Sequence, residues 1–418
     1  MFSVTGSVPR QFEIPTFYRS PILSVIKSSR KTQDRLRKDF SPSVLDLGKV
    51  RFKLARHFGF CYGVENAIEI AYKAIEENPG KAIYLLSEMI HNPHVNQDLQ
   101  SRGVRFLMKT DGSQLIPFET LKPQDVVIVP AFGTTVEMFN RLADIGINPR
   151  TYNTTCPFVE KVWNRAEQMG AQGYTVVIHG FDNHEETRAT FSHARQTAPS
   201  VMIRNMEEAE KLAVFVRGER PPEEFYEVFP GRFSPNFNAA VDLQRIGVVN
   251  QTTMLATETQ AISEYLRNAV IARFGESSLS SHFADTRDTL CYATSENQDA
   301  VYGLLDSGGD LAIVVGGYNS SNTSHLVELC EERLPTYYIR DADEILSAQA
   351  IRHLDMKAAA VVTTSDWLKK NGSSAGPIEI LVTAGASCPD ATVDAIIQKV
   401  AGIANCADRI EEALRVFA

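Results

Sequence analysis

Short apolar runs alternate with segments of helical pattern along the chain from Val50 to its end. Runs such as DVVIVPA, YTVVIHG and LAIVVGG contain almost no polar residue, which is typical of strands buried on both faces of a parallel sheet. We predict helices at residues 64–78, 136–146 and 257–274, and two more that begin near residues 323 and 392. This alternation predicts an α/β fold, with parallel sheets connected by right-handed crossovers.

Three of the six cysteines each stand directly before a helical segment. Cys61 lies in FGFCYGVENAIEIA, Cys156 in NTTCPFVEKVWNRA and Cys291 in DTLCYATSENQDAVYGLL. Their spacing describes three comparable α/β units if the second unit carries an insertion. The Pro-rich stretch 219–237 is the natural insertion, and we expect irregular surface chain there. The predicted organisation is an N-terminal extension followed by three units, with boundaries at 1–49, 50–150, 151–285 and 286–418.

Composition narrows the class of protein. The chain has 418 residues, of which 44% are hydrophobic and 22% are charged, as in ordinary globular proteins. Its net charge of -9 argues against general nucleic-acid binding, since phosphate backbones attract basic surfaces. No apolar stretch approaches the roughly 20 residues that span a bilayer, so no membrane association is expected. We expect a bacterial cytoplasmic protein, with the plastid stroma as the alternative.

The first 49 residues differ from the rest in charge. They contain nine Lys or Arg and four acidic residues, and nine minus four leaves a net charge of +5. A polar terminus is commonly a flexible or peripheral extension, and one rich in Arg and Ser can be an organelle transit peptide. We expect a basic extension that stays on the mature protein.

Three predicted strands end in loops rich in small and hydroxyl residues. These loops, NQTTM, GGYNSSNTSH and TAGASCPD, each open a helix. Free backbone N–H groups at a helix start, with hydroxyl groups beside them, suit phosphate. Helix capping by Ser, Thr and Asn is the alternative for any one loop. Three such loops favour a phosphorylated ligand, and because none is a Walker sequence a nucleotide is not indicated.

Two further loops are unusually polar for positions next to strands. SEMIHNPHVN contains His91, and HGFDNHEETRAT contains His184 and Glu186. Such residues are able to supply a cation, a proton donor and a relay. Taken singly, His91 or His184 is more often a structural histidine, and Glu186 is more often a solvated charge of a loop. The six cysteines include no C-x-x-C pair and are too few for a disulfide framework, so a small buried hydrophobe is the alternative for each.

Eight blocks follow one another in a fixed order from about Val50 to the last helix: GFCYGVENAI, HNPHVN, TTCPFVEKV, HGFDNHEET, NQTTM, LCYATSENQDAV, GGYNSSNTSHL and TAGASCPD. In this order they resemble the 4-hydroxy-3-methylbut-2-enyl diphosphate reductase family, also called LytB/IspH. Short motifs arise singly by chance, but a colinear set over most of a chain does not. The resemblance implies three α/β lobes around a central pocket.

The same resemblance implies a reaction. Enzymes of this family convert (E)-4-hydroxy-3-methylbut-2-enyl diphosphate to isopentenyl and dimethylallyl diphosphates by two-electron reductive dehydroxylation. This is the last step of the methylerythritol phosphate route to isoprenoid precursors. By resemblance, electrons come from a ferredoxin or a flavodoxin.

The resemblance further implies a [4Fe-4S] cluster held by Cys61, Cys156 and Cys291, one from each lobe. Thiolates are the usual ligands of such clusters, and three of them leave one of the four irons open to the substrate hydroxyl. Glu186 matches the family's proton-delivering glutamate, and Thr252 matches the threonine beside the substrate hydroxyl. The diphosphate-binding positions carry over to His91, His184, Ser320, Ser321, Asn322 and Ser387.

Some residues do not match the family pattern. Many members have a histidine in an AHG sequence after the strand that corresponds to DVVIVPA, where this chain has Phe132 between Ala and Gly. Phe has no hydrogen-bond donor and no charge, so we expect that diphosphate contact to be lost or supplied elsewhere. The A-F-G form resembles the plant and cyanobacterial branch, which also has an N-terminal extension. Cys330, Cys388 and Cys406 match no ligand, and we expect buried or incidental thiols.

Two other functions agree with the loops alone. One is a redox-free enzyme that acts on a phosphosugar, with Cys61 or Cys156 as a nucleophile activated at a helix start. The other is a binding module that keeps the diphosphate pocket without catalysis. If the donor is a small acidic protein, an acidic enzyme needs a local basic patch to meet it. We hypothesise that the extension of net charge +5 contributes this patch.

Overall fold

The apolar runs of the sequence form strands that assemble into sheets. The computed structural model describes residues 12–284, 289–370 and 376–417. The strands within these ranges are β1 (Ser43–Asp46), β2 (Val50–Leu54), β3 (Ile83–Leu85), β4 (Arg105–Phe106), β5 (Val126–Val129), β6 (Tyr152–Asn153), β7 (Thr175–His179), β8 (Ser200–Ile203), β9 (Ile246–Asn250), β10 (Leu311–Val315), β11 (Thr336–Ile339), β12 (Ala350–Asp355), β13 (Ala360–Ser365) and β14 (Ile378–Ala384).

Helices connect most of these strands. They are α1 (Pro21–Gln33), α2 (Tyr62–Glu77), α3 (Pro93–Ser101), α4 (Val136–Ile145), α5 (Pro157–Ala171), α6 (Glu185–Ala194), α7 (Met206–Arg217), α8 (Phe225–Val228), α9 (Ala239–Asp242), α10 (Ala256–Phe274), α11 (Leu279–His282), α12 (Tyr292–Asp306), α13 (Ser321–Glu331), α14 (Asp390–Ile403) and α15 (Ile410–Leu414). The five predicted helices are confirmed, with starts and ends within two residues of the prediction.

The described strands form three sheets. The first sheet has the order β4-β3-β5-β6, the second β8-β7-β9, and the third β1-β2-β14-β10-β11-β12-β13. Every pair in the first and second sheets is parallel. The third sheet is parallel at its centre and antiparallel towards both edges, at β1–β2, β11–β12 and β12–β13. The predicted α/β fold with parallel sheets is confirmed.

Each cysteine-led helix packs on a different sheet. Ala67 and Ile68 of α2 pack against the first sheet, and Val162 of α5 packs against the second. Val301 and Leu304 of α12 pack against the third. The central strands β7, β9 and β10 are buried along their whole length, because helices and neighbouring units cover both of their faces. The three helix starts are thereby fixed to three separate cores.

The start of the chain differs from the prediction. The sequence predicts that the first unit begins at Val50, but β2 lies in the third sheet, where it pairs in parallel with β14. The described part of the basic extension is also built into this region, since Leu23, Leu45 and Leu47 are completely buried. A peripheral extension is therefore wrong for residues 12–49. The prediction rested on the net charge of this segment and overlooked the apolar face of α1, which packs against the core of the third sheet.

The insertion at residues 219–237 also differs from the prediction. The sequence predicts irregular surface chain, but Phe225 and Phe229 are completely buried and Phe237 is nearly so. Their rings stack on one another, with centroids of Phe225 and Phe229 5.1 Å apart, and they join the core of the second sheet. The high Pro and charge content correctly indicated that this segment has no long helix or strand. The segment is nevertheless held in the core, because burying three large aromatic side chains is strongly favourable.

Within the described ranges, no helix combines the length and the apolar character that crossing a bilayer requires.

Candidate active site

The three cysteines of the predicted cluster occupy equivalent positions. Cys61, Cys156 and Cys291 are the residues directly before α2, α5 and α12, each with extended backbone angles. A helix begins there because the extended residue leaves the first N–H groups of the next turn free to point towards it. All three side chains line one cavity. The helix starts from the three cores therefore meet at a single point.

The three thiols lie close enough to influence one another electrostatically. Burial raises the pKa of Cys61 to about 12, with further contributions from the charges of Cys291 and Cys156. Burial likewise raises the pKa of Cys156 to about 11 and raises the pKa of Cys291. Three thiolates at one buried point are costly unless a cation neutralises them. The donor set is thus suited to a cationic group with thiolate ligands.

Gly63 allows the first two cysteines to approach. A Cβ atom at this position would lie 2.5 Å from Sγ of Cys156 and 3.9 Å from Sγ of Cys61. The first distance is shorter than real Cβ contacts, so a side chain at residue 63 would displace the sulfur of Cys156. The sulfurs of Cys61 and Cys156 therefore both lie beside Gly63.

Polar residues reach the cavity from the carboxyl ends of strands in all three sheets. Each sheet contributes two neighbouring parallel strands, namely β3 and β5, β7 and β9, and β10 and β14. This is the edge at which α/β folds bind ligands. Besides the three cysteines, the polar residues that line the cavity are His91, Glu186, Thr252, Ser320, Ser321, Asn322 and Ser387.

Glu186 and Thr252 form a buried pair. The Thr252 N–H donates to Oε1 of Glu186 at 2.5 Å, and the Thr252 hydroxyl donates to Oε2 at 3.0 Å. Glu186 is only 1% exposed, and this burial raises the pKa of its carboxyl group to about 7. The Thr252 carbonyl in turn accepts the N–H of Cys291 at 3.2 Å. A carboxyl group that titrates near neutral pH thus stands beside the third cysteine.

The start of α13 provides hydroxyl and amide groups. Ser320 caps this helix, and its hydroxyl oxygen accepts the N–H of Thr323 at 3.3 Å. Asn322 accepts the N–H of Ala386 at 2.9 Å through its side-chain oxygen, which joins this loop to the loop after β14. In that second loop, the Ser387 hydroxyl donates to the carbonyl of His91 at 3.2 Å. The two loops and the His91 segment therefore hold one another in place.

His184 stands just behind the cavity lining, against His91. The two ring centroids are 5.0 Å apart, edge to face. Nδ1 of His184 accepts the N–H of Glu186 at 3.2 Å, and burial lowers the pKa of His184 well below its usual value. The ring is therefore neutral with its proton on Nε2, a buried atom that has no hydrogen-bond partner among the described residues. The predicted role of His184 in binding the diphosphate stays a prediction, and the structure gives it a neutral ring for that role.

Phe132 packs directly on the predicted histidines. Its ring stacks on His91 with centroids 4.2 Å apart and planes inclined by 29°, and it meets His184 edge to face at 5.5 Å. On its other side, His91 Nε2 lies 3.5 Å from Oε2 of Glu185. In place of a third polar contact, this chain therefore has a ring that fixes the orientation of His91.

Sequence reasoning missed several polar residues of the site. Gln251 accepts the Phe181 N–H at 3.2 Å and donates to Ser321 at 3.0 Å, so it connects the second sheet to the α13 loop. Thr294 donates its N–H to Sγ of Cys291 at 3.3 Å and holds its hydroxyl 3.1 Å from the same sulfur. The sequence contained a cue to each residue. Gln251 lies within the NQTTM block, and Thr294 stands three residues after the helix-capping position at Cys291.

The other three cysteines lie away from the cavity. Cys330, Cys388 and Cys406 are buried in the core of the third sheet. Burial raises the pKa of Cys330 to about 12, and no charged partner compensates. Across the described ranges, no group of three or more His, Cys, Asp or Glu side chains is arranged to hold a single metal ion.

Comparison with known proteins finds relatives over most of the chain. Residues 52–401 match a family described as LytB protein. The 4-hydroxy-3-methylbut-2-enyl diphosphate reductase of Gloeobacter violaceus is 38% identical over 383 residues, which cover 88% of this chain and 89% of the relative. The reductase of the same name from Picosynechococcus sp. is 39% identical over 357 residues, which cover 85% of each chain.

A solved structure has a similar fold. The E-1-hydroxy-2-methyl-but-2-enyl-4-diphosphate reductase of Plasmodium falciparum aligns with a TM-score of 0.60 over 84% of this chain and 88% of that chain. The sequence identity of this pair is 20%, so the likeness concerns the arrangement of the elements.

Proposed function

The chain belongs to the LytB protein family, and on that premise we propose that it is a 4-hydroxy-3-methylbut-2-enyl diphosphate reductase. It converts (E)-4-hydroxy-3-methylbut-2-enyl diphosphate to isopentenyl and dimethylallyl diphosphates by two-electron removal of the hydroxyl group. One observation carries this proposal. Three thiols, a carboxyl group with a pKa near 7 and a hydroxyl-rich helix start line the same cavity.

Cys61, Cys156 and Cys291 would hold a [4Fe-4S] cluster. A single ion needs its ligands drawn tightly around one point, whereas each thiolate of a cluster binds a different iron. Three thiols that reach one cavity from three separate helix starts fit the second case. When bound, the cluster supplies electrons and a Lewis-acidic iron. Thr294 would donate hydrogen bonds to the Cys291 thiolate and so stabilise its negative charge.

The diphosphate would lie between α13 and the two histidines. Ser320, Ser321 and Asn322 stand at the start of an 11-residue helix, where N–H groups and the helix dipole favour an anion. Ser387 adds a hydroxyl group from the neighbouring loop. The free Nε2–H of His184 is a neutral donor beside His91, and an unpaired buried donor of this kind is costly until a ligand accepts from it.

Glu186 would deliver the proton. Because the pKa of Glu186 is about 7, this carboxyl group is protonated in a large fraction of molecules at neutral pH. A pKa near the working pH is also the one best suited to proton transfer. Thr252 bonds both carboxyl oxygens and so fixes the direction of the acid. The walls Val64, Ala131 and Val159 are apolar, which suits the hydrocarbon part of the substrate and limits access of water.

The electron donor would be a ferredoxin or a flavodoxin. The location stays a prediction, with the cytoplasm expected and the plastid stroma as the alternative. A redox-free phosphosugar enzyme or a binding module would be colourless, whereas an iron-sulfur reductase is brown.

The test is turnover under anaerobic conditions. We expect purified protein with reduced methyl viologen to convert the allylic diphosphate substrate to the two products, and to release no product when the reductant is omitted. Protein that carries iron and sulfide but yields neither product with the reductant would contradict the proposed function.

A further inference from the structure

A second cavity shares a wall with the active site. Cys61 lines the active-site cavity and also lines an open groove on the side of α1 and of the loop that follows this helix. Near Cys61 the groove is aromatic, with Phe58, Phe60 and Tyr292 in its lining. The backbone N–H of Tyr62 donates to the Tyr292 hydroxyl at 3.1 Å and fixes this edge. Cys61 therefore joins the groove to the proposed cluster position.

The groove is basic although the chain is acidic. Six cationic side chains line it against the three carboxylates of Glu65, Glu296 and Asp390, which gives a net charge of +3. The whole chain has a net charge of -9, so this region contrasts with the average surface. We call it the basic groove, and its cations are Arg19, Lys27, Lys31, Arg35, Arg37 and Arg56.

Half of these cations are available to a partner. Ion pairs with nearby carboxylates already engage Lys27 and Arg37, at 2.6 and 3.3 Å. By contrast, Arg19, Lys31 and Arg35 are exposed, and no carboxylate of the described residues forms an ion pair with them. Unpaired cations at the rim of a groove attract an anionic surface at long range.

The helix α1 presents two of the groove cations, Lys27 and Lys31. Ser20 caps α1 by accepting the N–H of Leu23 at 2.9 Å, and Leu23 and Ile26 are buried against the third sheet. Lys27 and Lys31 are one helical turn apart and both line the groove, so they lie on the same face of the helix. Lys27 and Lys31 therefore hold a fixed position relative to Cys61, and Arg19 and Arg35 precede and follow the helix in the chain.

We propose that the basic groove is the docking site of a small acidic electron-carrier protein, which delivers electrons past Cys61. This proposal rests on the proposed reductase function. In that reaction the substrate takes up two electrons and two protons and yields one product molecule and water. A one-electron carrier docks twice per turnover and leaves oxidised each time. An apolar centre with a charged rim is typical of transient protein interfaces, and charge complementarity accelerates the encounter.

The test reverses the three unpaired cations together. The variant Arg19→Glu, Lys31→Glu, Arg35→Glu is compared with a control of equal charge change at exposed cations outside the groove, namely Arg150→Glu, Arg267→Glu, Lys357→Glu. Both holoenzymes are assayed with a reduced acidic [2Fe-2S] ferredoxin and, separately, with reduced methyl viologen. Binding of the oxidised ferredoxin is measured by calorimetry at two salt concentrations.

We expect the groove variant to raise both the KM and the Kd for ferredoxin by about tenfold or more and to flatten their salt dependence, because the attractive charges are lost. Its turnover with methyl viologen should stay within about twofold of the wild type, and the control should change neither property. If charge reversal prevents folding, the neutral variant Arg19→Gln, Lys31→Gln, Arg35→Gln is used, with a smaller rise in the same direction.

Two results would overturn the proposal in distinguishable ways. A groove variant that is active with methyl viologen and keeps the wild-type KM and Kd for ferredoxin contradicts the docking site alone. A wild-type holoenzyme that is inactive with methyl viologen contradicts the reductase function and the docking site with it.

Discussion

Glu186 combines complete burial with two hydrogen bonds from one threonine. Desolvation raises its pKa, and the bonds from Thr252 oppose that effect, so that the result is a value of about 7. Above this pH the group is mainly a carboxylate and cannot donate. The burial thus decides the pH range in which Glu186 is able to act as the proposed acid.

We therefore expect the turnover of the wild type to fall as pH rises through about 7, since the protonated form of Glu186 is lost there. Glu186→Gln keeps the shape and lacks the acid, so it should bind substrate and iron normally and lose turnover by a factor of at least about 100 at every pH. The measurement is kcat against pH for both proteins. Full activity of the Gln variant, or a wild-type profile that is flat between pH 6 and pH 8, would refute the role of this residue.

Single residues of the site were predictable only where a family pattern named them. The loops indicated phosphate from their hydroxyl groups, but no pattern of residues alone assigns Glu186 a proton or predicts that His184 is neutral. That state follows from a hydrogen bond to Nδ1 and from burial, which depend on contacts between distant segments. At Phe132 the sequence predicted only that a diphosphate contact is lost or supplied elsewhere. The stacking of its ring on His91 depends on the folded structure and has no signal in the sequence.

Secondary-structure elements were easier to predict when they were long or wholly apolar. The helix α10 and the strands β5, β7, β9, β10 and β14 coincide with predicted segments. The hairpin of β12 and β13 escaped prediction because β13 is largely exposed, β12 is only partly buried, and both mix polar with apolar residues. The strand β2 lies at the predicted start of the first unit but belongs to the third sheet, since pairing partners far along the chain leave no local signal.

The helix α1 and the strand β1 behave as parts of the core. Deleting residues 1–45 would remove the buried side chains of Ile22, Leu23, Ile26 and Leu45 and the edge strand beside β2. Losing several fully buried aliphatic side chains costs on the order of 2–5 kcal/mol each. We expect the truncated protein to unfold at a clearly lower temperature than the full chain or to be insoluble.

Thermal unfolding followed by circular dichroism measures this difference, and the groove variant with three reversed charges serves as the control, because its substitutions are all exposed. A truncated protein that keeps the melting temperature of the full chain would show that residues 12–45 are peripheral after all.

The molecule as a whole brings three separate cores to one point. Each core supplies a helix that begins at a cysteine and two parallel strands that are followed by loops lining the cavity. No core contains more than one of these cysteines, so the proposed ligand set is complete only when all three units are folded together. The site therefore forms only when the three units pack together. The spacing of the cysteines in the sequence indicated the three units but not how they meet.

The most direct test of this account is the iron and sulfide content of anaerobically purified cysteine variants. We predict about four irons and four sulfides per chain in the wild type and in Cys330→Ser, and almost none in Cys61→Ser, Cys156→Ser or Cys291→Ser. The result that would contradict the account is a full complement of iron in any of these last three variants, or a wild-type protein purified without iron.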